Sequence, residues 1–453
     1  WRQRRRGCKN RLQKPQPNIR QRQKPPENKP HRINMPILKK LKEWNWRRNF
    51  AFKKIKLYLR YKPLILLDRL LAHQKGRQNH PVKRILLIRN DVIGDMIVST
   101  GLIRSLAQAG YEVYVSSTAP ALDIIRGNPH VSGVFPYNAS SPANFAASLR
   151  KIRRHHFDLA VELRVSRELS LYDTLYHGLI RTDTLLGFNK SFLHTFNASI
   201  ECDVSNIHVT QPFLLLLAYL HIDAADLPYE LFIDEDTEQY VRPYIPKQKF
   251  AVINPFGSKG PRCLSKQQVA LICRHLSQQG FACVLIGEPA KTAALKINLA
   301  AVFPSRSIGD VIALIKYADL VLTVDTSVVH IAAAFTKDTI GLYLHSFHPL
   351  AEDGRTDDSL KNRLSINFFR CRTKICYGLP NLPDRDLYRF FTVNNIFWSP
   401  NNPNAVQVFF PQEEISAVPD EELSQKLHDA LYTIRCRTGR YTKHAPINTD
   451  PQP

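Results

Sequence analysis

Short apolar runs, each followed by a turn and then by apolar positions at helical spacing, recur through most of this chain. Arg84-Ile-Leu-Leu-Ile-Arg89 leads into Asn90-Asp91-Val92-Ile93-Gly94-Asp95, and Leu102, Ile103 and Leu106 mark one face of a helix predicted over 95–109. Gly110 is placed to stop that helix, Tyr111–Val115 supplies the next strand, and Asp158–Glu162 reads as another. A proline-containing stretch over 240–249 separates this half from a second. The pattern restarts with a strand at Phe250–Asn254, the Pro255-Phe256-Gly257-Ser258 turn, a helix over about 265–279, and a strand over 281–286 ending at Gly287-Glu288. A helix near 308–317, a strand over 320–324, a helix over 327–335 and a strand over 339–343 follow. Strands alternating with helices imply parallel βαβ units, so the expected class is α/β, with two Rossmann-like domains in tandem. The boundaries read from the sequence are 82–245 and 246–415, with 352–411 an irregular insertion. A C-terminal helix and tail occupies 416–453, its helix over 420–435 beginning at the Asp420-Glu421-Glu422 cap.

Two segments repeat one device. After Arg84–Arg89 comes the turn carrying Asp91, Gly94 and Asp95; after Leu320–Val324 comes Asp325-Thr326-Ser327, then a helix with His330. Each is a strand, a tight turn and a helix N-terminus whose unpaired N–H groups suit an anion. Ligands of open α/β sheets sit outside the carboxyl ends of the strands, so a site using both turns would lie in a cleft between two sheets.

Charge changes the picture at one end only. Of the net +24, residues 1–80 carry +22, with 25 Lys and Arg against Glu27, Glu43 and Asp68. The body is near neutral. Residues 1–34 are expected to be a disordered basic leader. Residues 35–81 mix Leu, Ile, Trp and Phe with Lys and Arg, a pattern that suits an anionic membrane surface; a pair of helices packed on the body is the alternative, with Pro63 expected to break or kink a helix. No recognised nucleic-acid module accompanies the charge, so no nucleic-acid partner is expected. No run approaches the ~20 apolar residues of a membrane span. The eight cysteines are scattered, and Cys371 with Cys376 is the one close pair, with no second pair or nearby His; no metal site and no cofactor are expected, and a reducing compartment fits.

Asp95, following Gly94 at a helix start, is placed to stay ionised and accept a proton from a hydroxyl; a plain helix cap is the structural alternative. Asp91 is the second carboxylate, suited to organising the turn. Asp325, Thr326 and Ser327 offer cap oxygens and N–H groups to a diphosphate, with His330 one turn on, and again a capped helix is the alternative. Neither a G-x-G-x-x-G nor a G-x-x-x-x-G-K-[ST] pattern is present, which argues against a dinucleotide oxidoreductase and a P-loop enzyme.

Together Ile85–Asp95 with Ser99–Leu106, Ile253-Asn-Pro-Phe-Gly-Ser258, and Ala318–Ala334 resemble the ADP-heptose:lipopolysaccharide heptosyltransferase family, glycosyltransferase family 9, from about Val82 to Tyr343. The resemblance implies a GT-B fold and inverting transfer from a nucleotide diphosphate sugar, such as ADP-heptose, without a required metal. It implies a lipid-linked glycan acceptor of the lipopolysaccharide core or a related surface glycan. Asp95 would be the general base with Gly94 and Asp91 on the acceptor side. The donor side would comprise Asp325, Thr326, Ser327 and His330, with Ser258 and Glu288, and either Lys259 or Arg262 as the phosphate cation. Ser327 stands where the family commonly has Gly, and the Trp that usually follows the cation is absent. The implied location is cytoplasmic, peripheral on the inner face of the cytoplasmic membrane. A non-catalytic GT-B-like scaffold binding nucleotide or glycan is the alternative.

Overall fold

The computed structural model describes residues 48, 52, 59, 62–72, 81–165, 170–202, 207–258, 260–344, 397–412 and 414–437. The chain divides into two units, residues 1–56 and 57–453, and the strands of the described residues lie in the second. Lys259, the Cys371 and Cys376 pair, the leader over 1–34 and most of the 352–411 stretch lie outside the described residues.

Strands β1 (Arg84–Arg89), β2 (Glu112–Ser117), β3 (Gly133–Pro136), β4 (Phe157–Glu162), β5 (Thr182–Phe188) and β6 (Ala198–Ile200) form one sheet in the order β3-β2-β1-β4-β5-β6. Strands β7 (Phe250–Asn254), β8 (Ala282–Leu285), β9 (Ala300–Val302), β10 (Leu320–Val324), β11 (Asp338–Leu344) and β12 (Ala405–Phe410) form a second, in the order β12-β11-β10-β7-β8-β9. All these pairings are parallel. Each sheet is therefore doubly wound about its first strand, and its topological switch point lies between β1 and β4 or between β7 and β10. The central strands are buried on both faces, which is why they read as unbroken apolar runs rather than alternating ones. One expectation is corrected here: the 352–411 stretch is not irregular throughout. Val406, Val408 and Phe410 belong to β12, which extends the second sheet beside β11.

A helix over 62–72, α1, precedes the first sheet. Helices α2 (Ile93–Gln108), α3 (Ala119–Leu122), α4 (Pro142–Ile152), α5 (Leu171–Leu179) and α6 (Gln211–Tyr219) follow in the first half. α7 (Glu235–Val241) stands at the junction of the halves, and α8 (Lys266–Gln278), α9 (Pro289–Leu295), α10 (Ile308–Tyr317), α11 (Ser327–Ala334) and α12 (Asp420–Arg437) are the α-helices of the described residues that follow. Local chemistry sets several starts: Ser265 with Gln268 and Ser307 with Asp310 form reciprocal capping boxes on α8 and α10. α7 precedes the β7 strand in sequence yet packs on α10, and α12 packs on α8 and β12.

One apolar cluster joins the two sheets, running from Ile97 and Leu102 through Leu227 and Tyr229 to Ile331 and Ala332. At its centre α2 packs on the segment at 227–228 so closely that a Cβ on Gly101 would lie 2.8 Å from the Pro228 carbonyl oxygen, which requires glycine there. Residues 397–401 return to this seam: Val209 N–H donates to the Phe397 carbonyl at 2.9 Å and Asn401 Nδ2 to the Leu227 carbonyl at 3.1 Å.

α1 is two-faced. Asp68, 1% exposed, accepts from His194 N–H, Thr195 N–H and Thr195 Oγ1 at 2.6, 3.1 and 2.7 Å, and Leu71 packs on Gly178 of α5. Leu66 and Leu70, one turn apart, point outward with 59% and 63% exposure. Pro63 lies in the described helical run over 62–72. Among the described residues no helix is long and apolar enough to cross a membrane.

Candidate active site

The two turns singled out by the sequence meet. Asp95 is the third residue of α2, not its cap: Val92 holds the cap position and makes no side-chain cap bond. The plain-cap alternative for Asp95 thus does not apply. α2 packs on α11, and a Cβ placed on Gly94 would sit 3.5 Å from His330 Cδ2 and 3.7 Å from Ser327 Cα. The start of the helix carrying Asp95 therefore faces the start of the helix after Asp325, each at the switch point of its own sheet.

On the first sheet, β1 ends in Arg89, whose side chain is 4% exposed. Arg89 Nη2 donates to Asp95 Oδ1 at 3.0 Å and Nε to the Asp95 carbonyl at 3.2 Å, while Nη1 donates to the Leu163 carbonyl at 3.2 Å and stands 3.6 Å from Asp91 Oδ2. Asp91 takes only the longest of these contacts. Burial pushes its carboxyl up to about 6, against the pull of Arg89, and the neighbouring Asp95 charge pushes the same way. Beside it, at the end of β4, Glu162 is fully buried and accepts from Arg164 Nε at 3.0 Å and pairs with His177 Nε2 at 2.7 Å. Burial opposes its charge, yet Arg164 and His177 hold its carboxyl well below the usual range. Arg164 also pairs with Asp173 at 3.2 Å, and Tyr137 Oη donates to Asp173 at 3.3 Å.

On the second sheet, Thr326 is the α11 cap, its hydroxyl accepting from Val328 N–H at 3.3 Å and from Asn254 Nδ2 at 3.0 Å. Asn254 ends β7 and also donates to Thr323 Oγ1 at 3.0 Å, tying the two strands of the switch point. Arg262 Nη1 pairs with Asp325 Oδ2 at 2.8 Å, and burial raises the Asp325 carboxyl against that pull. Gly257 makes this possible: a Cβ there would lie 2.4 Å from Arg262 Cβ. Of the two cations the sequence left open, Arg262 thus reaches the turn, whereas Lys259 lies outside the described residues. Ser258 is exposed on the same edge. Glu288 follows Gly287, whose φ of +148° favours glycine, and pairs with Lys291 at 2.6 Å after the neighbouring strand β8. His330 is buried among Tyr229, Trp398 and Gly94, and burial brings its imidazole down to about 3, so it is neutral.

The sequence reading did not select Arg89, Glu162, Arg164, His177 or Asn254. A signal for three of them was present, since Arg89, Glu162 and Asn254 each close an apolar run with a polar residue at a strand's carboxyl end, the end at which open α/β sheets hold their ligands. At the opposite, amino ends of β4 and β5, His156, Asp158 and Asp183 bring ligand atoms within 4.8 Å of one another. Asp158 Oδ2 there already accepts Lys83 and Arg84 N–H, both at 2.7 Å.

Against known proteins, residues 146–352 match the description glycosyltransferase family 9 (heptosyltransferase). That stretch of the chain is similar to glycosyltransferase family 9. The chain is 22% identical over 356 residues to an Escherichia coli K12 protein described as "Putative lipopolysaccharide heptosyltransferase 4", covering 76% of this chain and 87% of that one. A family 9 glycosyl transferase from Veillonella parvula superposes with a TM-score of 0.57 at 13% identity, covering 78% of this chain and 97% of that structure. The E. coli heptosyltransferase WaaC, solved with ADP-2-deoxy-2-fluoro heptose, gives 0.52 at 15% identity, with 76% and 99% covered. The chain accordingly has the GT-B architecture of two facing Rossmann-like sheets, and it is a glycosyltransferase.

Proposed function

We propose that this enzyme transfers heptose from ADP-heptose to a lipopolysaccharide core or related surface glycan, with inversion and without a required metal. The observation that carries the reading is the apposition of Gly94-Asp95 with Ser327 and His330, which faces a carboxylate on one switch point with a helix N-terminus on the other. The acceptor hydroxyl gives its proton to Asp95 as its oxygen bonds to the anomeric carbon, and the bond from that carbon to the diphosphate breaks. The α11 N–H groups and Arg262 take up the charge growing on the departing nucleoside diphosphate. Ser258, Thr326 and Glu288 stand on the donor edge. The relatives named for ADP-heptose and lipopolysaccharide heptosyltransfer support this choice of donor and acceptor.

In the same reading the enzyme works peripherally at the inner face of the cytoplasmic membrane. The outward Leu66 and Leu70 of α1, flanked by exposed Lys62 and Arg69, and the basic charge of residues 1–80 support it.

A thermal-shift screen against ADP, GDP, UDP, CMP and ADP-heptose tests the donor. Saturation at 100 times Kd adds about 2.7 kcal/mol. Selective stabilisation by ADP and ADP-heptose is expected; selective response to another nucleotide would overturn heptose as the sugar.

A further inference from the structure

We infer that Arg89 is the positioning residue of the catalytic carboxylate, an inference that rests on Asp95 being the base. Its guanidinium is fixed from several sides. Nη1 is held by the Leu163 carbonyl after β4, the group stands 5.8 Å from the Phe213 ring centroid of α6, and its own strand is central in the sheet. From that fixed point it grips Asp95 twice, at the main-chain carbonyl and at Oδ1. The helix end and the side chain are thereby locked to β1 together. The Asp95 carbonyl is further pinned by Ser99 Oγ at 2.8 Å.

The consequence is a division of labour within one carboxylate. Oδ1 is committed to Arg89, and Oδ2 is the oxygen left to meet the acceptor hydroxyl. A carboxylate on an otherwise unrestrained side chain would sample rotamers that carry it away from a sugar bound between the sheets. Lysine cannot replace this clamp. A single ammonium reaches one of the three acceptors in a given pose, whereas the planar fork reaches the Leu163 carbonyl, the Asp95 carbonyl and Oδ1 at once. Asp91 belongs to the same arrangement as a rival for the guanidinium at 3.6 Å, which Arg89 subordinates by giving its short bonds to Asp95.

The test compares Arg89→Lys, Asp95→Asn and the double variant in the full-length protein. ADP release from ADP-heptose with core-truncated lipopolysaccharide is the readout. Arg89→Lys should lower kcat about 100-fold, the loss expected for a displaced reacting group, with KM for ADP-heptose unchanged. The double variant should be no slower than Asp95→Asn alone, because the clamp has no role once the base is gone. A wild-type kcat in Arg89→Lys, with Asp95→Asn inactive, would overturn the positioning role and leave the base. A wild-type kcat in Asp95→Asn would remove the base and the clamp with it. Losses that multiply in the double variant would show a merely structural Arg89 and overturn the proposal. A crystal structure of Arg89→Lys needs no substrate. The Asp95 carboxylate should leave its wild-type rotamer, and an unmoved carboxylate would overturn the proposal.

Discussion

Replacing Asp91 with Asn should stabilise the protein at neutral pH and leave its stability unchanged at pH 4. The Asp91 side chain is 21% exposed, and the guanidinium 3.6 Å away spends its short hydrogen bonds on Asp95 and Leu163. Arg164 pulls in the same direction as Arg89, while Asp95 and Glu162 oppose both, and burial outweighs them, raising the carboxyl from 3.8 to about 6. The sign follows from proton binding: between those two values the folded protein holds a proton at Asp91 that the unfolded chain has released. The stability Asp91 contributes in its protonated form is therefore complete below about pH 3.8 and is lost as pH rises through about 6. At 1.36 kcal/mol per pKa unit the loss approaches about 3 kcal/mol, an upper figure because the Asn amide must still be buried. Thermal unfolding of both proteins from pH 4 to 8 measures it. The Tm of Asp91→Asn minus that of the wild type should grow through pH 4–6.5 and then level off. A difference independent of pH, or one that favours the wild type at pH 7.5, would refute the reasoning, since it would mean Asp91 is held ionised by Arg89.

Three other outcomes rest on named contacts. His330 is brought from 6.5 down to about 3, so the folded protein excludes a proton that the unfolded chain takes up; His330 stability is full above pH 6.5 and falls by roughly 2 kcal/mol by pH 5. His330→Phe should flatten that acid limb in thermal unfolding, and an unchanged limb would assign it to other groups. Asp68→Ala leaves two backbone donors and a hydroxyl without their buried acceptor, a loss of roughly 2–4 kcal/mol, read by urea unfolding and by faster tryptic cleavage at Arg69. Arg262→Ala should weaken ADP in the thermal-shift titration about tenfold, the cost of one charge-assisted phosphate contact, while the unliganded Tm changes little because the Asp325 pair is half exposed.

The parts of this protein legible in the sequence are those encoded by neighbours along the chain. The strands Arg84–Arg89, Phe250–Asn254 and Leu320–Val324 and the helix Ile308–Tyr317 fall where apolar runs and helical spacing put them, because burial on both faces of a parallel sheet leaves a continuous apolar signature. Short elements such as β3, β6 and β9 were not legible, since three or four half-buried residues carry no such period. β12 was hidden among Asn, Pro and aromatic residues and became a strand only by pairing with β11. The candidate site divides the same way. Asp95 and Asp325-Thr326-Ser327 could be named from their place after a strand and before a helix. Their surroundings could not: Asp95 is held by Arg89, which is fixed by Leu163, 74 positions from it, and Asp325 is met by Arg262 from another turn.

Sequence alone thus determined two tandem sheets and two anion-suited turns, because hydrophobic period and helix-end chemistry act over a few residues. Tertiary structure alone decided that Gly94 would abut Ser327 and His330, that Asp68 would turn inward while Leu66 and Leu70 faced outward, and which of Asp91 and Asp95 would take the longer contact to their shared guanidinium. Those outcomes depend on distances between segments far apart in the chain, set by strand order and packing, on which local pattern bears no imprint.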